Sequence, residues 1–125
     1  GVGGSTVTAI IDAILKTYVG DSIDFLLCPA NGVFDVREYL IKKRFSLMDE
    51  WIVSEKGRQY EVIHARAGTG VDGNVKVSSV GNMWDVSDKE HEAYLKKIIA
   101  HYQRAMLGDD VVHSKMILEA YRGIR

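Results

Sequence analysis

The chain has 125 residues, of which 46% are hydrophobic and 26% are charged, and its formal net charge is -1 at pH 7. This length and composition are typical of one globular domain with a modest core. The near-neutral charge gives no overall attraction to nucleic acid or to an anionic membrane, so any basic surface must be local. A single cysteine excludes an internal disulfide and favours a cytoplasmic protein.

Nothing in the sequence predicts a membrane or secreted protein. No apolar run approaches the ~20 residues that a spanning helix needs. No secretory signal is expected either, because Gly1 leads directly into a predicted helix.

The first part of the chain predicts a helix, a buried strand and a second helix. Ser5 or Thr6 is expected to cap the first helix, whose apolar residues recur at helical spacing as far as Tyr18. Ile23–Cys28 then predicts a strand covered on both faces, and Pro29 ends it. The second helix has an apolar stripe formed by Val33, Val36, Tyr39 and Leu40.

Two further strands complete the predicted sheet. Phe45–Ser54 and Gln59–Ala67 flank a tight turn in which Gly57 is suited to a positive φ. The strand–helix–strand order predicts a right-handed parallel crossover, and the hairpin makes the last strand antiparallel. Residues 68–86 are rich in glycine and are expected to form a long loop.

The end of the chain, residues 87–125, predicts a helical hairpin. Ser87 and Glu90 have the spacing of a capping box, in which serine accepts a backbone amide and glutamate reaches back. An amphipathic helix follows, Gly108 interrupts it, and a last helix is expected to fold back. The chain therefore divides into an α/β part (residues 1–67), a loop (68–86) and a helical appendage (87–125).

Several motifs in one register resemble the bacterial tRNA (adenine(22)-N(1))-methyltransferases, which are class I enzymes. The family's GMGG segment, Leu-Gln-Pro-Asn strand end, Leu-Arg-x-Trp-Leu helix, Asp-Glu-x-x-Val strand and Gly-x-x-Tyr-Glu-Ile-Ile strand are similar here to Gly1–Gly4, Leu27–Asn31, Val36–Leu40, Asp49–Val53 and Gly57–Ile63. The helical appendage is also similar to the end of that family. The resemblance covers nearly the whole chain.

This resemblance implies the carboxyl-terminal half of a Rossmann-like methyltransferase sheet, within an enzyme that transfers methyl from S-adenosylmethionine to a tRNA adenine. The family's glycine-rich turn and acidic ribose ligand have no counterpart here. The chain is therefore expected to be part of a longer enzyme and inactive alone. The resemblance implies a substrate cleft at Pro29 and Asn31, and cofactor contacts at Gly1, Gly3 and Gly4.

The residues themselves leave other interpretations open. The first glycines suit either an anion-binding helix start or a flexible terminus. Asn31 suits either a base contact or an Asx-turn. Cys28 is interpreted as a small buried hydrophobe. Glu50 and Glu61 are expected to meet across the hairpin near an arginine, either as weak acid–base candidates or as solvated charges.

A basic surface is the remaining functional prediction. Arg37, Lys96, Lys97 and Arg104 are the expected contacts to the tRNA backbone, and the alternative is a solvated helix face. The histidines lack ligand spacing, so no metal is proposed.

A rival hypothesis belongs to another functional class. The chain would be a non-catalytic half-fold that self-associates as a binding or assembly module, because the free edge of its first strand recruits a partner. The predicted partners are thus tRNA and either the missing amino-terminal half or a second copy.

Overall fold

The fold comes from a computed structural model, in which the structure describes residues 2–68, 77–108 and 110–124. The chain forms two compact units, Gly1–Met83 and Trp84–Arg125. The helices and strands are α1 (Gly4–Thr17), β1 (Ser22–Leu27), α2 (Val33–Lys42), β2 (Ser46–Glu55), β3 (Arg58–Gly68), α3 (Lys89–Ala105) and α4 (Val111–Arg122). The predicted order of elements is therefore confirmed.

The sheet has the strand order β1-β3-β2, and β3 is antiparallel to both neighbours. The antiparallel last strand agrees with the sequence. The expected sheet of paired parallel strands is wrong, because β3 returns into the gap between β1 and β2 and both described pairings are antiparallel. Lys56 and Gly57 make that return possible, since their φ angles of 51° and 77° form the two-residue turn that suits strand twist.

The core of the first unit lies on one face of the sheet. Side chains alternate along a strand, so every second residue of β1 and β3 points to the same face. Helices α1 and α2 cover that face with their apolar stripes. The buried cluster consists of Ile11, Phe25, Leu27, Val36, Leu40, Phe45, Leu47, Ile63, Ala65 and Val77.

Helix α1 begins earlier than the sequence predicts. Gly3 is its N-cap residue and has no side chain to offer, while Ser5 lies exposed within the helix. The oxygen that reaches the free amide of Gly4 belongs to Asn31, 3.4 Å away. The cap expected at Ser5 or Thr6 is therefore wrong, because a residue distant in sequence supplies the acceptor.

Helix α3 of the second unit begins one residue later than the predicted capping box. Asp88 is the N-cap residue, and its carboxylate accepts the amides of Glu90 at 2.8 Å and His91 at 3.4 Å. The hydroxyl of Ser87 instead donates to Asp85 at 2.6 Å. The capping box is therefore wrong, because the carboxylate at the next position satisfies the same amides.

Aromatic rings join the two helices of the second unit. Trp84 stacks on Tyr94 of α3, with ring centroids 5.8 Å apart, and meets Tyr121 of α4 edge to face. Tyr102 of α3 also stacks on Tyr121, which is buried. Offset-stacked and edge-to-face contacts stabilise such pairs beyond the burial of their surface.

The cap assignment makes a paired prediction. Replacing Asp88→Ala removes the acceptor for two amides and is expected to lower the free energy of unfolding by about 1 kcal/mol. Ser87→Ala removes one exposed hydrogen bond and is expected to stay within about 0.5 kcal/mol of the parent. Urea unfolding followed by circular dichroism measures both. A larger loss for Ser87→Ala would show that serine is the cap after all.

Candidate active site

The loop after β1 is the first component of the candidate site. Pro29 is buried and follows β1. Because proline has no amide hydrogen and a fixed φ, it ends the strand and sets the direction of the chain after it. The amide of Ala30 donates to the carbonyl of Val2 at 2.8 Å. Gly32 then caps α2 with a left-handed φ of 64°, a conformation that glycine adopts without steric cost.

The glycines at the start of α1 pack directly on this loop. A Cβ at Gly4 would lie 2.7 Å from the carbonyl oxygen of Gly32, and one at Gly3 would lie 2.8 Å from Oδ1 of Asn31. Two segments almost 30 residues apart thus approach backbone to backbone because they lack side chains. The structure therefore brings Gly3 and Gly4 together with Pro29 and Asn31, while Gly1 lies outside the described residues.

These contacts bear on the cofactor expected at the glycines. The space beside Gly3 and Gly4 is filled by Asn31 and Gly32, and the amide of Gly4 already faces the Asn31 oxygen. A binding site for S-adenosylmethionine would need backbone amides that are free to donate and an acceptor for the ribose hydroxyls. The groups gathered here do not fit that requirement, so we derive no reaction step through the cofactor.

A hydrogen bond joins α1 to α2. The Tyr39 hydroxyl of α2 donates to Oδ1 of Asp12 on α1. Burial and this carboxylate raise the pKa of Tyr39 to about 12. The phenol therefore remains protonated across the physiological range, and the bond persists there.

Arg37 lies in the interior of the first unit and not on its surface. Its side chain is fully buried, with Nε 3.1 Å from Oε1 of Glu50 and Nη1 paired with Glu61. The expected tRNA contact at Arg37 is therefore wrong, because two carboxylates enclose the guanidinium. The expectation that Glu50 and Glu61 approach each other near an arginine agrees with the structure, but both are buried, not solvated.

The segment 77–83 covers this charged cluster. The amide of Asn82 donates to Oε2 of Glu50 at 2.8 Å, and Gly81 lies against the guanidinium of Arg37 with a φ of 85°. Val77 joins the apolar core, and the Ser79 hydroxyl donates to Glu38 at 2.6 Å. The glycine content of residues 68–86 predicts a loop but carries no signal for this docking; residues 69–76 lie outside the described residues.

Another charged group ties β1 to β3 on the exposed face of the sheet. Asp24 pairs with Arg66 at 2.5 Å and with His64 at 2.9 Å. Hydrogen bonds from Arg66 and then His64 hold the pKa of Asp24 well below its usual range. The group is exposed and its members are satisfied by one another, so it stabilises the strand register.

The expected basic residues of α3 are all exposed. Lys96 lies 3.5 Å from Glu92, one helical turn earlier, which partly neutralises it. Lys97 and Arg104 are seven residues apart and so share a helix face. They form a narrow basic stripe on α3.

The exposure of Cys28 differs from the sequence-based interpretation. Cys28 is exposed, so its interpretation as a buried hydrophobe is wrong; it follows the last buried residue of β1 and points to the opposite face. Across the described ranges, no cluster of three or more potential ligands is placed to hold a metal ion. Among the helices described, none has the length and apolar character to cross a membrane.

Comparison with known proteins decides the family. Residues 1–63 match the family model described as a methyltransferase domain, and this range includes the glycines, the Pro29 loop and Arg37. The chain belongs to the methyltransferase domain family. A Bacillus subtilis (strain 168) tRNA (adenine(22)-N(1))-methyltransferase is 37% identical over 68 residues, which are 54% of this chain and 28% of the relative.

Solved structures agree on the fold of this methyltransferase-family chain. The Streptococcus pneumoniae protein Sp1610 in complex with S-adenosyl-L-methionine matches 99% of the chain with a TM-score of 0.63 and 21% identity. The M. capricolum TrmK in complex with S-adenosyl-homocysteine also matches 99%, with a TM-score of 0.67 and 14% identity. The chain spans about half the length of these relatives, 56% in each case. The resemblance to the tRNA (adenine(22)-N(1))-methyltransferases is confirmed.

Proposed function

We propose that this chain forms part of an S-adenosylmethionine-dependent enzyme that methylates N-1 of an adenine in tRNA. The observation that carries the proposal is the junction of Gly4 with Asn31 at the end of β1, inside the stretch that matches the methyltransferase family. Ligands of open α/β sheets bind beyond the carboxyl ends of their strands. The B. subtilis relative supplies the substrate class.

The role of Asn31 in this proposal is to orient the base. Its Oδ1 accepts from the Gly4 amide, which holds the side chain at the start of α1. We assign its Nδ2 as the donor to an acceptor on the adenine edge. Pro29 supplies a rigid wall, since its ring fixes the backbone. An adenine within a stem must leave the base stack to reach such a cleft. The chain's own contribution is therefore positioning.

The proposed tRNA contacts outside the cleft are the exposed cations of α3. Lys96, Lys97 and Arg104 are all exposed on this helix, and Lys97 and Arg104 form the stripe. Such residues bind phosphates without reading sequence. Arg37 is removed from this set by its burial.

The edge of β1 favours a second candidate function. Leu26 is 71% exposed on this strand, Ile10 and Val2 are also exposed nearby, and no described strand pairs with the outer edge of β1. An open strand edge recruits another chain. The alternative is therefore the non-catalytic module, in which a second copy covers β1.

A chimera tests the proposed function and separates the two candidates. The matching segment of the B. subtilis relative is replaced by the segment of this chain, and N-1-methyladenosine in tRNA is measured by nuclease digestion and mass spectrometry. The chimera is expected to methylate tRNA. Asn31→Ala is expected to slow it about tenfold, the effect of losing one hydrogen bond that orients the substrate. Ser5→Ala, an exposed residue of α1, is the matched control.

Two results would contradict the proposal. A folded chimera without methylation would favour the assembly module. Equal rates for Asn31→Ala and Ser5→Ala would remove Asn31 from the cleft.

The α3 stripe makes a separate prediction about tRNA binding by the 125-residue chain. Lys96→Glu, Lys97→Glu and Arg104→Glu are each expected to reduce the log–log salt slope by roughly one unit. Lys16→Glu on α1 is the control with the same charge change. Fluorescence anisotropy of labelled tRNA across a salt series measures the slopes. If the three α3 variants and the Lys16→Glu control all give the same salt slope, the exposed cations of α3 do not contact tRNA.

A further inference from the structure

A hollow of about 330 Å³ opens beyond the end of β1, beside the tip of the β2–β3 hairpin. Cys28, Ala30, Glu55, Arg58 and Tyr60 line it. The core residues Leu27 and Glu61 neighbour Cys28 and Tyr60 in sequence and are buried, so the alternation of strand residues directs Cys28 and Tyr60 to the opposite face of the sheet. The hollow is thus separate from the Arg37 cluster.

The lining combines an aromatic ring, a free cation and a carboxylate. Tyr60 is half-buried and lines the hollow. Arg58 is exposed, and its guanidinium forms no ion pair with any residue that the structure describes. Glu55 is the register partner of Arg58 across the hairpin end and offers an acceptor. Three recognition groups therefore meet in one small concavity.

Single-stranded RNA is recognised by this combination of groups. Aromatic rings stack on bases, and arginine contacts the adjoining phosphate or stacks on the base plane. A carboxylate accepts from an exocyclic amine of a base. The volume is close to the lower limit for small-molecule sites, which suits one nucleotide and not a longer segment.

Chain connectivity links the hollow to the proposed cleft. Ala30 lines the hollow, and the next residue is Asn31, whose amide we propose to orient the adenine. Consecutive Cα atoms are about 3.8 Å apart. The hollow and Asn31 therefore lie on the two sides of one short loop, and a nucleotide in the hollow would be next to this loop.

We propose that this hollow is a subsite for the RNA nucleotide that adjoins the methylated adenine, with its base on Tyr60 and its phosphate on Arg58. The proposal rests on the proposed function, because it takes RNA as the substrate. It adds a substrate-positioning role to the tip of the β2–β3 hairpin.

Cys28 is a built-in reporter of this subsite. It is the single cysteine of the chain, it is exposed, and it lines the hollow. The experiment measures the alkylation rate of Cys28 by N-ethylmaleimide in the 125-residue chain, by mass spectrometry, with and without hexaadenylate RNA. At an RNA concentration of about ten times the dissociation constant, alkylation is expected to slow about tenfold. An abasic hexamer is expected to protect less, because it has no base to stack.

Matched variants identify the groups that hold the nucleotide. Arg58→Gln removes a charged hydrogen bond and is expected to weaken binding about tenfold. At the same RNA concentration the protection then falls to about twofold. Tyr60→Leu removes the stacking ring and is expected to have a similar effect, whereas Tyr60→Phe retains protection. Arg44→Gln is the control, since Arg44 precedes β2 and lies at the opposite end of that strand from the hairpin tip.

Two outcomes would overturn the subsite. Labelled hexaadenylate that binds by anisotropy while leaving Cys28 alkylation unchanged would place RNA elsewhere on the chain. Protection that survives both Arg58→Gln and Tyr60→Leu would show that these groups do not hold the nucleotide. Methylation by the chimera tests the proposed function independently, so failure of the subsite alone leaves that function standing.

Discussion

The buried guanidinium of Arg37 is the interaction on which the first unit depends. One side chain of α2 binds Glu50 on β2 and Glu61 on β3, and the segment 77–83 closes over the same cluster. A buried charge is tolerated only when its partners are close and its remaining hydrogen bonds are made. The ion pairs therefore specify one arrangement of helix and hairpin, and other arrangements would leave charges unpaired.

This arrangement also determines the geometry of the candidate cleft. Gly32 is the N-cap residue of α2, so fixing α2 on the sheet also fixes the loop that holds Asn31. Helix α1 is joined to α2 by the Tyr39–Asp12 hydrogen bond and by the close approach of Gly4 to Gly32. The hairpin that supplies Glu61 also carries Tyr60, which faces the other side of the sheet. The β2–β3 hairpin thus contributes to the core on one face of the sheet and to the hollow on the other.

Local patterns predicted much of this structure, and distant contacts account for what they missed. The hairpin turn and the strands were recognisable because Gly57 and the alternation of side chains are local signals. The burial of Arg37 was not, because its partners lie 13 and 24 residues away and any amphipathic helix displays exposed arginines. The predicted helix caps were wrong for related reasons. The acceptor at the start of α1 is Asn31, which is distant in sequence. At the start of α3, Ser87 and Asp88 are adjacent residues that both favour the capping position.

A double-mutant cycle tests most directly whether Arg37 organises the first unit. Arg37→Met, Glu61→Gln and the double variant are unfolded in urea, and their free energies of unfolding are compared. Arg37→Met is expected to cost about 3–5 kcal/mol, because it leaves two buried carboxylates without their cation. With Glu61→Gln already present that cost should fall, giving a coupling energy of about 1–3 kcal/mol. Additive costs, equal to within about 0.5 kcal/mol, would contradict the account.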